Sequence, residues 1–220
     1  MQKLSSFKNK KPVIAIDGTA GSGKGSLAKK ISQKLDFDHL DSGILYRAFA
    51  FQFIKNNPSN KGLENISFDL KAFLKENKSI NLRTEEISKN ASIIAKNKIV
   101  RERLISVQRE FVNNPPGGKG SVVDGRDIST VIVPNAEIKL YIDANIKVRA
   151  KRRQIQLELE DKHFDEILET MTNRDEQDKT RKNSPLKKSK DSFFIETSNL
   201  DENTVFEIAM DIIKKKTDFI

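Results

Sequence analysis

The chain contains no cysteine, so neither a disulfide framework nor thiol chemistry is open to it. Its two histidines, His39 and His163, lie far apart in sequence and lack the spacing of a zinc site. There is no tryptophan and there are two tyrosines, too few rings for the aromatic interleaving by which single-strand nucleic-acid binders stack bases. The apolar runs are short, far below the roughly twenty residues a membrane helix needs. The basic opening MQKLSSFKNKKP has no apolar core before the first predicted strand and is too short and polar to read as a secretory signal. No Asn-Lys-x-Asp guanine motif is present; Asn97-Lys98, for instance, runs on into Ile99-Val100. The expectation is a soluble, cytoplasmic chain that makes no stable complex with nucleic acid or membrane and works as a monomer.

What the chain does have is charge. Forty Lys and Arg face 31 Asp and Glu, a formal balance of +9, and 32% of all residues are charged against 36% hydrophobic. Such a balance favours polyanions, nucleotides among them. At 220 residues it suits a single domain with room for one insertion.

Val13 to Ile16 is a short apolar run ending in Asp17-Gly18, which predicts a buried strand of a parallel sheet. Leu27, Ile31 and Leu35 then recur on one helical face. Further strands are predicted at Ser121 to Asp124, Ile138 to Ile142 and Ser192 to Glu196, with a weaker one at Asp38 to Leu40. Helical stretches between them point to an α/β fold, a parallel central sheet of about five strands with helices on both faces. Residues 56–119 break the alternation. Asn56-Asn57-Pro58 and Pro115-Pro116-Gly117-Gly118 bound them, and Thr84-Glu85-Glu86 reads as the start of one of two helices. We therefore expect one domain over 1–220, with a core at 10–55 and 120–220, an insertion at about 56–119 and a short polar lid at about 150–166. A mobile flap is expected at Leu157 to Asp165.

The densest chemical signal is Gly18-Thr19-Ala20-Gly21-Ser22-Gly23-Lys24-Gly25-Ser26. Gly18, four residues, then Gly23-Lys24 is the spacing of a phosphate loop (P-loop), whose backbone N–H groups converge on phosphate oxygens at a helix N-terminus. Lys24 reaches the outer phosphates in such loops, and Ser26 is the hydroxyl nearest a phosphate-bound Mg2+. One residue, Gly25, stands between the lysine and that hydroxyl, a variant typical of nucleoside-monophosphate kinases. The loop marks nucleotide binding and leaves the acceptor open.

Three further segments follow in order: Leu40-Asp41-Ser42-Gly43-Ile44-Leu45-Tyr46-Arg47, Asp124-Gly125-Arg126-Asp127-Ile128-Ser129-Thr130-Val131, and Arg174-Asp175 with Asp178 and Arg181 ahead of Ser184-Pro185-Leu186. With the phosphate loop and the helical stretch Thr84 to Arg101, they resemble the bacterial cytidylate kinases over nearly the whole chain. The resemblance implies an inserted acceptor-binding subdomain, and transfer of the γ-phosphate of Mg-ATP to CMP or dCMP. It assigns Ser42, Arg101, Arg126 and Asp127 to the acceptor nucleotide, and Ser92, Arg174 and Asp178 to its sugar and surroundings. Arg181 goes to phosphates. Arg47 joins the cations that grip acceptor and moving phosphate, with Lys24, Arg126 and Arg181 at the chemistry. It also implies a lid in which one or two of Arg149, Arg152 and Arg153 meet ATP phosphates, Arg149 and Arg153 being the choices here. Arg103 and Arg109 read as a solvated helix face. Asp17 is a candidate for the outer surroundings of Mg2+. Two features depart from the family pattern. The stretch from Arg47 to Arg83 is short and lacks a strand hairpin, and Ser129 stands where glycine is usual. Kinases for UMP, AMP or shikimate, a GTPase-type switch and a nucleic-acid binder are the competing readings.

Overall fold

The computed structural model describes residues 11–56, 73 and 80–219, and the chain divides into two compact units, Met1–Leu40 with Arg109–Ile220, and Asp41–Gln108. The first unit carries a five-stranded sheet in the order β2-β3-β1-β4-β5, formed by β1 (Val13–Gly18), β2 (Asp38–Asp41), β3 (Ser121–Gly125), β4 (Ile138–Asp143) and β5 (Phe193–Glu196). β1 runs parallel to β3 and β4, and β4 parallel to β5. The parallel α/β architecture read from the sequence is the one found, including the weakly signalled β2.

Every residue of β1 is buried, which is why it reads as a continuous apolar run. Alternation along the strand sends Ile14 and Ile16 to one face, where Leu140 and Ile142 of β4 join them. That face packs on Leu27, Ala28 and Ile31 of α1 (Lys24–Leu35) and on Val205, Ala209, Met210 and Ile213 of α7 (Glu202–Lys216). At roughly 1.5–3 kcal/mol for each large side chain removed from water, this layer is the main source of stability for the sheet. Asp17 falls on the opposite face.

In that unit α5 (Ile146–Gln156) and α6 (Phe164–Thr180) pack on the phosphate loop through Ala20, Ala150 and Met171. The polar stretch between them, expected as a flap, holds a 3-10 turn at Asp161–His163. Gln154, buried on α5, donates to the Leu159 carbonyl at 3.1 Å and to the Asp161 carboxylate at 2.9 Å, and Lys151 pairs with Asp161 at 2.8 Å.

In the second unit α2 (Ser42–Asn56) and α3 (Glu85–Ile94) share a small core of Ala48, Phe73, Leu82 and Ile87. Thr84 caps α3, its hydroxyl accepting from the Ile87 N–H, with Glu85 and Glu86 at the positive end of the helix. Asn97 starts α4 (Lys98–Asn113) by accepting from the N–H groups of Ile99 and Val100. These are the two helices the spacing predicts. The hairpin question between Arg47 and Arg83 falls for the most part outside the described residues.

Candidate active site

The phosphate loop joins β1 to α1, and its glycines are fixed by contact and by backbone geometry. A Cβ at Gly18 would lie 2.1 Å from the carbonyl oxygen of Ile142, so only glycine lets β1 and β4 stay paired there. Gly23, at the start of α1, has φ 87°, a left-handed value that glycine takes at little cost. No acid occupies the first turn of α1, which leaves its positive end facing the loop. Lys24 donates to the Thr19 carbonyl at 3.1 Å, so its ammonium folds back over the loop. Ser26 is exposed two residues further on.

Side chains from three elements buttress the loop. The Thr19 hydroxyl donates to Asp143 at the end of β4 at 2.6 Å. The Thr197 hydroxyl donates to the Ser22 carbonyl at 3.2 Å, and Arg152 holds Thr197 in turn. Arg149 is 4% exposed. It donates to the carbonyls of Ala144 and Ala20 and pairs with Asp175 of α6 at 2.7 Å. The sequence expected Arg149 on ATP phosphates; the structure brings it to the phosphate loop, but with its guanidinium on the loop's backbone and on two acids. Arg153 donates to Gln156.

Beyond β3 the chain makes a π-helical turn at Ile128–Ile132, just after Arg126 and Asp127. Arg126 donates to Asp178 of α6 at 2.9 Å, and Arg181 lies 3.5 Å from Asp178 and 3.7 Å from Asp127. Arg181 also donates to the Ser184 carbonyl, and the Asp178 carbonyl accepts from the Leu186 N–H, which folds Ser184-Pro185-Leu186 onto the cluster. Burial opposes ionisation of Asp178, yet Arg126, Arg174 and Arg181 outweigh it and hold its carboxyl below the usual range. Burial likewise disfavours the Arg126 cation, and Asp178, Asp175 and Asp124 more than compensate. Three guanidinium groups thus gather around Asp178, fixed cations of the kind that bind phosphate.

The Asp124 carboxylate accepts from the His39 ring Nε2 at 2.8 Å, and its other oxygen lies 3.8 Å from where a Gly25 Cβ would stand. It is therefore, with Asp143, a carboxylate beside the phosphate loop. Asp17 anchors the π-helical turn. It is fully buried and accepts from the N–H groups of Ile128 and Ser129 and from the Ser129 hydroxyl. Arg109 corrects the reading of a solvated face: it is half-buried and donates to the carbonyls of Ile132 and Val131. Neither assignment was within reach of the sequence pattern, since both depend on a backbone segment more than twenty residues away.

In the second unit Ser42 opens α2 and is buried. Asp41 accepts from the Ile44 N–H at 3.2 Å and from Arg83 at 2.7 Å, with Arg47 at 3.8 Å. Arg101 is 2% exposed, donates to the Ala95 carbonyl at 3.1 Å and lies over the Tyr46 ring at 5.5 Å. Ser92 is half-buried on α3. Within this unit the structure thus pairs Arg101 with Tyr46 and Arg47 with Asp41.

The sequence model of the cytidylate kinase family matches residues 14–215. The cytidylate kinase of Fusobacterium nucleatum is 38% identical over 218 residues, covering 93% of this chain and 96% of that protein. That of Bartonella bacilliformis is 42% identical over 204 residues, covering 91% and 94%. The chain belongs to the cytidylate kinase family. It is accordingly an enzyme, a nucleotide kinase. Solved structures share the fold at lower identity. A protein of Eubacterium ventriosum matches at TM-score 0.57 and 16% identity over 93% of this chain and 99% of its own. One from Thermus thermophilus matches at TM-score 0.54 and 18% identity over 94% and 98%. Among the described residues of this cytidylate kinase family member no helix is long and apolar enough to cross a membrane. Among the same residues no group of three or more His, Cys, Asp or Glu side chains could hold a metal ion.

Proposed function

We propose that this chain transfers the γ-phosphate of ATP to CMP or dCMP, giving CDP or dCDP and ADP, in the cytoplasm and as a monomer. The observation that carries the reading is the cluster of Arg126, Arg174 and Arg181 around Asp178, Arg126 following directly on β3, the neighbour of β1 in the sheet. Acceptor and donor are both anions, and bringing them together needs fixed cations in a dry setting more than it needs a base.

In this reading Gly18 to Ser26 wrap the ATP phosphates, with Lys24 on the outer pair and Arg153 closing from α5. Arg149 acts through the loop backbone. The acceptor is assigned to Ser42, Arg47, Ser92, Arg101, Arg126, Asp127, Arg174, Asp178 and Arg181, as the family resemblance implies. The second unit, Asp41–Gln108, takes the part of the acceptor-binding insertion expected at about 56–119, and α5 with the turn after it that of the lid. The oxygen donors near the loop, Ser26 and Asp124, suit a hard cation such as Mg2+ accompanying ATP, which would shield phosphate charge. An ionised oxygen of the acceptor 5′-phosphate attacks the γ-phosphorus in line as the bond to the β–γ bridging oxygen breaks. Lys24, Arg126 and Arg181 meet the charge that moves between them. The acceptor is already ionised at neutral pH, so no side chain has to remove a proton, and no covalent enzyme intermediate forms.

The test is product identification with CMP, dCMP, UMP, AMP, GMP and shikimate offered separately with Mg-ATP. CDP or dCDP as the main product supports the reading; preference for AMP, GMP or shikimate overturns it.

A further inference from the structure

The π-turn Ile128–Ile132 is gripped at both ends by charge, from the fully buried Asp17 and the half-buried Arg109. At its amino end the Asp17 carboxylate accepts from Ile128 N at 2.7 Å, Ser129 N at 2.8 Å and Ser129 Oγ at 2.5 Å. At its carbonyl end the Arg109 guanidinium donates to Ile132 O at 3.0 Å and Val131 O at 2.9 Å. A short helical turn exposes unpaired N–H groups at its start and unpaired C=O groups at its end, so an anion and a cation in these positions match both its hydrogen-bonding needs and its dipole. π-helical geometry is unfavourable by itself and persists where the surroundings impose it. Asp17 is the residue before Gly18 of the phosphate loop, and Ile128 is the residue after Asp127.

We propose that Asp17 and Arg109 are positioning residues for phosphoryl transfer: clamping the π-turn from its two ends, they fix Arg126 and Asp127 relative to the phosphate loop. This rests on the kinase reading above, because that reading gives Arg126 and Asp127 their work on the acceptor. Ser129 adds a hydroxyl to the clamp where the family usually has glycine, and so tightens it in this chain. The charged and titratable groups on the elements around Asp17 are Asp124 on β3, Asp127 before the turn, Lys139, Tyr141 and Asp143 on β4, and Lys24, Lys29, Lys30 and Lys34 on α1. Burial pushes the Asp17 carboxyl up to about 6, even though Ser129 and Ile128 pull the other way. Losing the Ser129 hydroxyl therefore raises it further. Tyr141, pushed up to about 12, stays neutral and does not compete in that range.

Three variants of the full chain test the clamp. Arg109→Met is expected to raise KM for CMP about tenfold while KM for ATP stays within about twofold, with partial recovery in Arg109→Lys, whose single ammonium cannot span both carbonyls. Ser129→Ala is expected to move the acid limb of the kcat profile to higher pH by about half a unit or more. The acceptor phosphate titrates in the same region, but it is common to both proteins and cancels in the comparison. Equal rises in KM for ATP and CMP in a folded Arg109→Met protein, or superimposable pH profiles for Ser129→Ala and the parent, overturn the proposal. Thermal unfolding followed against pH reads the Asp17–Ser129 link without any substrate: Ser129→Ala must shift that dependence too. A parent protein that makes no CDP at all overturns the kinase reading, and the unfolding comparison still decides the clamp.

Discussion

Replacing Arg149 with methionine tests whether the phosphate loop is held from behind. The side chain is almost wholly buried, and the change keeps its aliphatic stem while deleting the guanidinium. The deletion leaves the Ala20 and Ala144 carbonyls without these donors and Asp175 without its 2.7 Å partner; Asp143, 3.7 Å from Nε, loses a second interaction. Breaking a buried pair in this way costs about 3–5 kcal/mol, because one charge remains where it cannot be solvated. For a chain of this length that corresponds to a fall in Tm of roughly 6–20 °C. Urea titration of Arg149→Met, Asp175→Leu and the double variant measures the coupling, expected at about 2 kcal/mol with the double variant more stable than Arg149→Met alone. Arg149→Lys separates charge from placement: it recovers part of the stability but leaves KM for ATP raised, since an ammonium cannot serve both carbonyls and Asp175. A loss below about 1 kcal/mol, additive single changes, or a normal KM for ATP in Arg149→Lys would refute the reasoning.

Other outcomes follow from the same geometry. The Asp17 carboxyl, raised from 3.8 to about 6 by burial, binds its proton more tightly in the folded chain than in the unfolded one. Its contribution to stability is full below about pH 3.8 and is lost as pH rises through about 6. Relative to Asp17→Asn, the parent protein should lose ~3 kcal/mol between pH 3.5 and 7, measured by urea unfolding at each pH; a constant difference contradicts this. Gly18→Ala places a methyl group 2.1 Å from the Ile142 carbonyl oxygen, so β1 and β4 must part; loss of soluble folded protein is expected, and a stable, ATP-binding variant would disprove the contact. Asp178→Asn removes the anion that Arg126 and Arg181 share and should lower kcat/KM for CMP by about a hundredfold while KM for ATP changes little, as steady-state kinetics would show.

The elements were legible where one residue pattern answers to one local cause. The apolar run of β1 is buried on both faces, and Leu27 and Ile31 line the one face of α1 that meets the sheet. Thr84 followed by two acids is a helix start by hydrogen bonding alone, and the structure makes the bond. The glycine spacing of the phosphate loop was equally readable, since a positive φ and a close strand contact leave no other residue suitable. Arginines were read less well. Their number and spacing announce anion binding, but a guanidinium can as readily hold a carbonyl or an acid, and sequence does not say which is near. Arg149 and Arg109 both went to backbone carbonyls, Arg109 having been read as part of a solvated helix face. The hydrogen bonds of Asp17 were out of reach for the sequence, since its partners, Ile128 and Ser129, lie more than a hundred residues away.

The central claim is transfer from ATP to a cytidine monophosphate, and ADP release measured by a coupled assay tests it most directly. The parent protein and Lys24→Ala would be compared with Mg-ATP alone and with CMP, dCMP, UMP, AMP, GMP and shikimate. The account predicts turnover that depends on acceptor, is highest with CMP or dCMP, and is lost in Lys24→Ala. ADP release that is vigorous without acceptor, or absent with every acceptor, would contradict it.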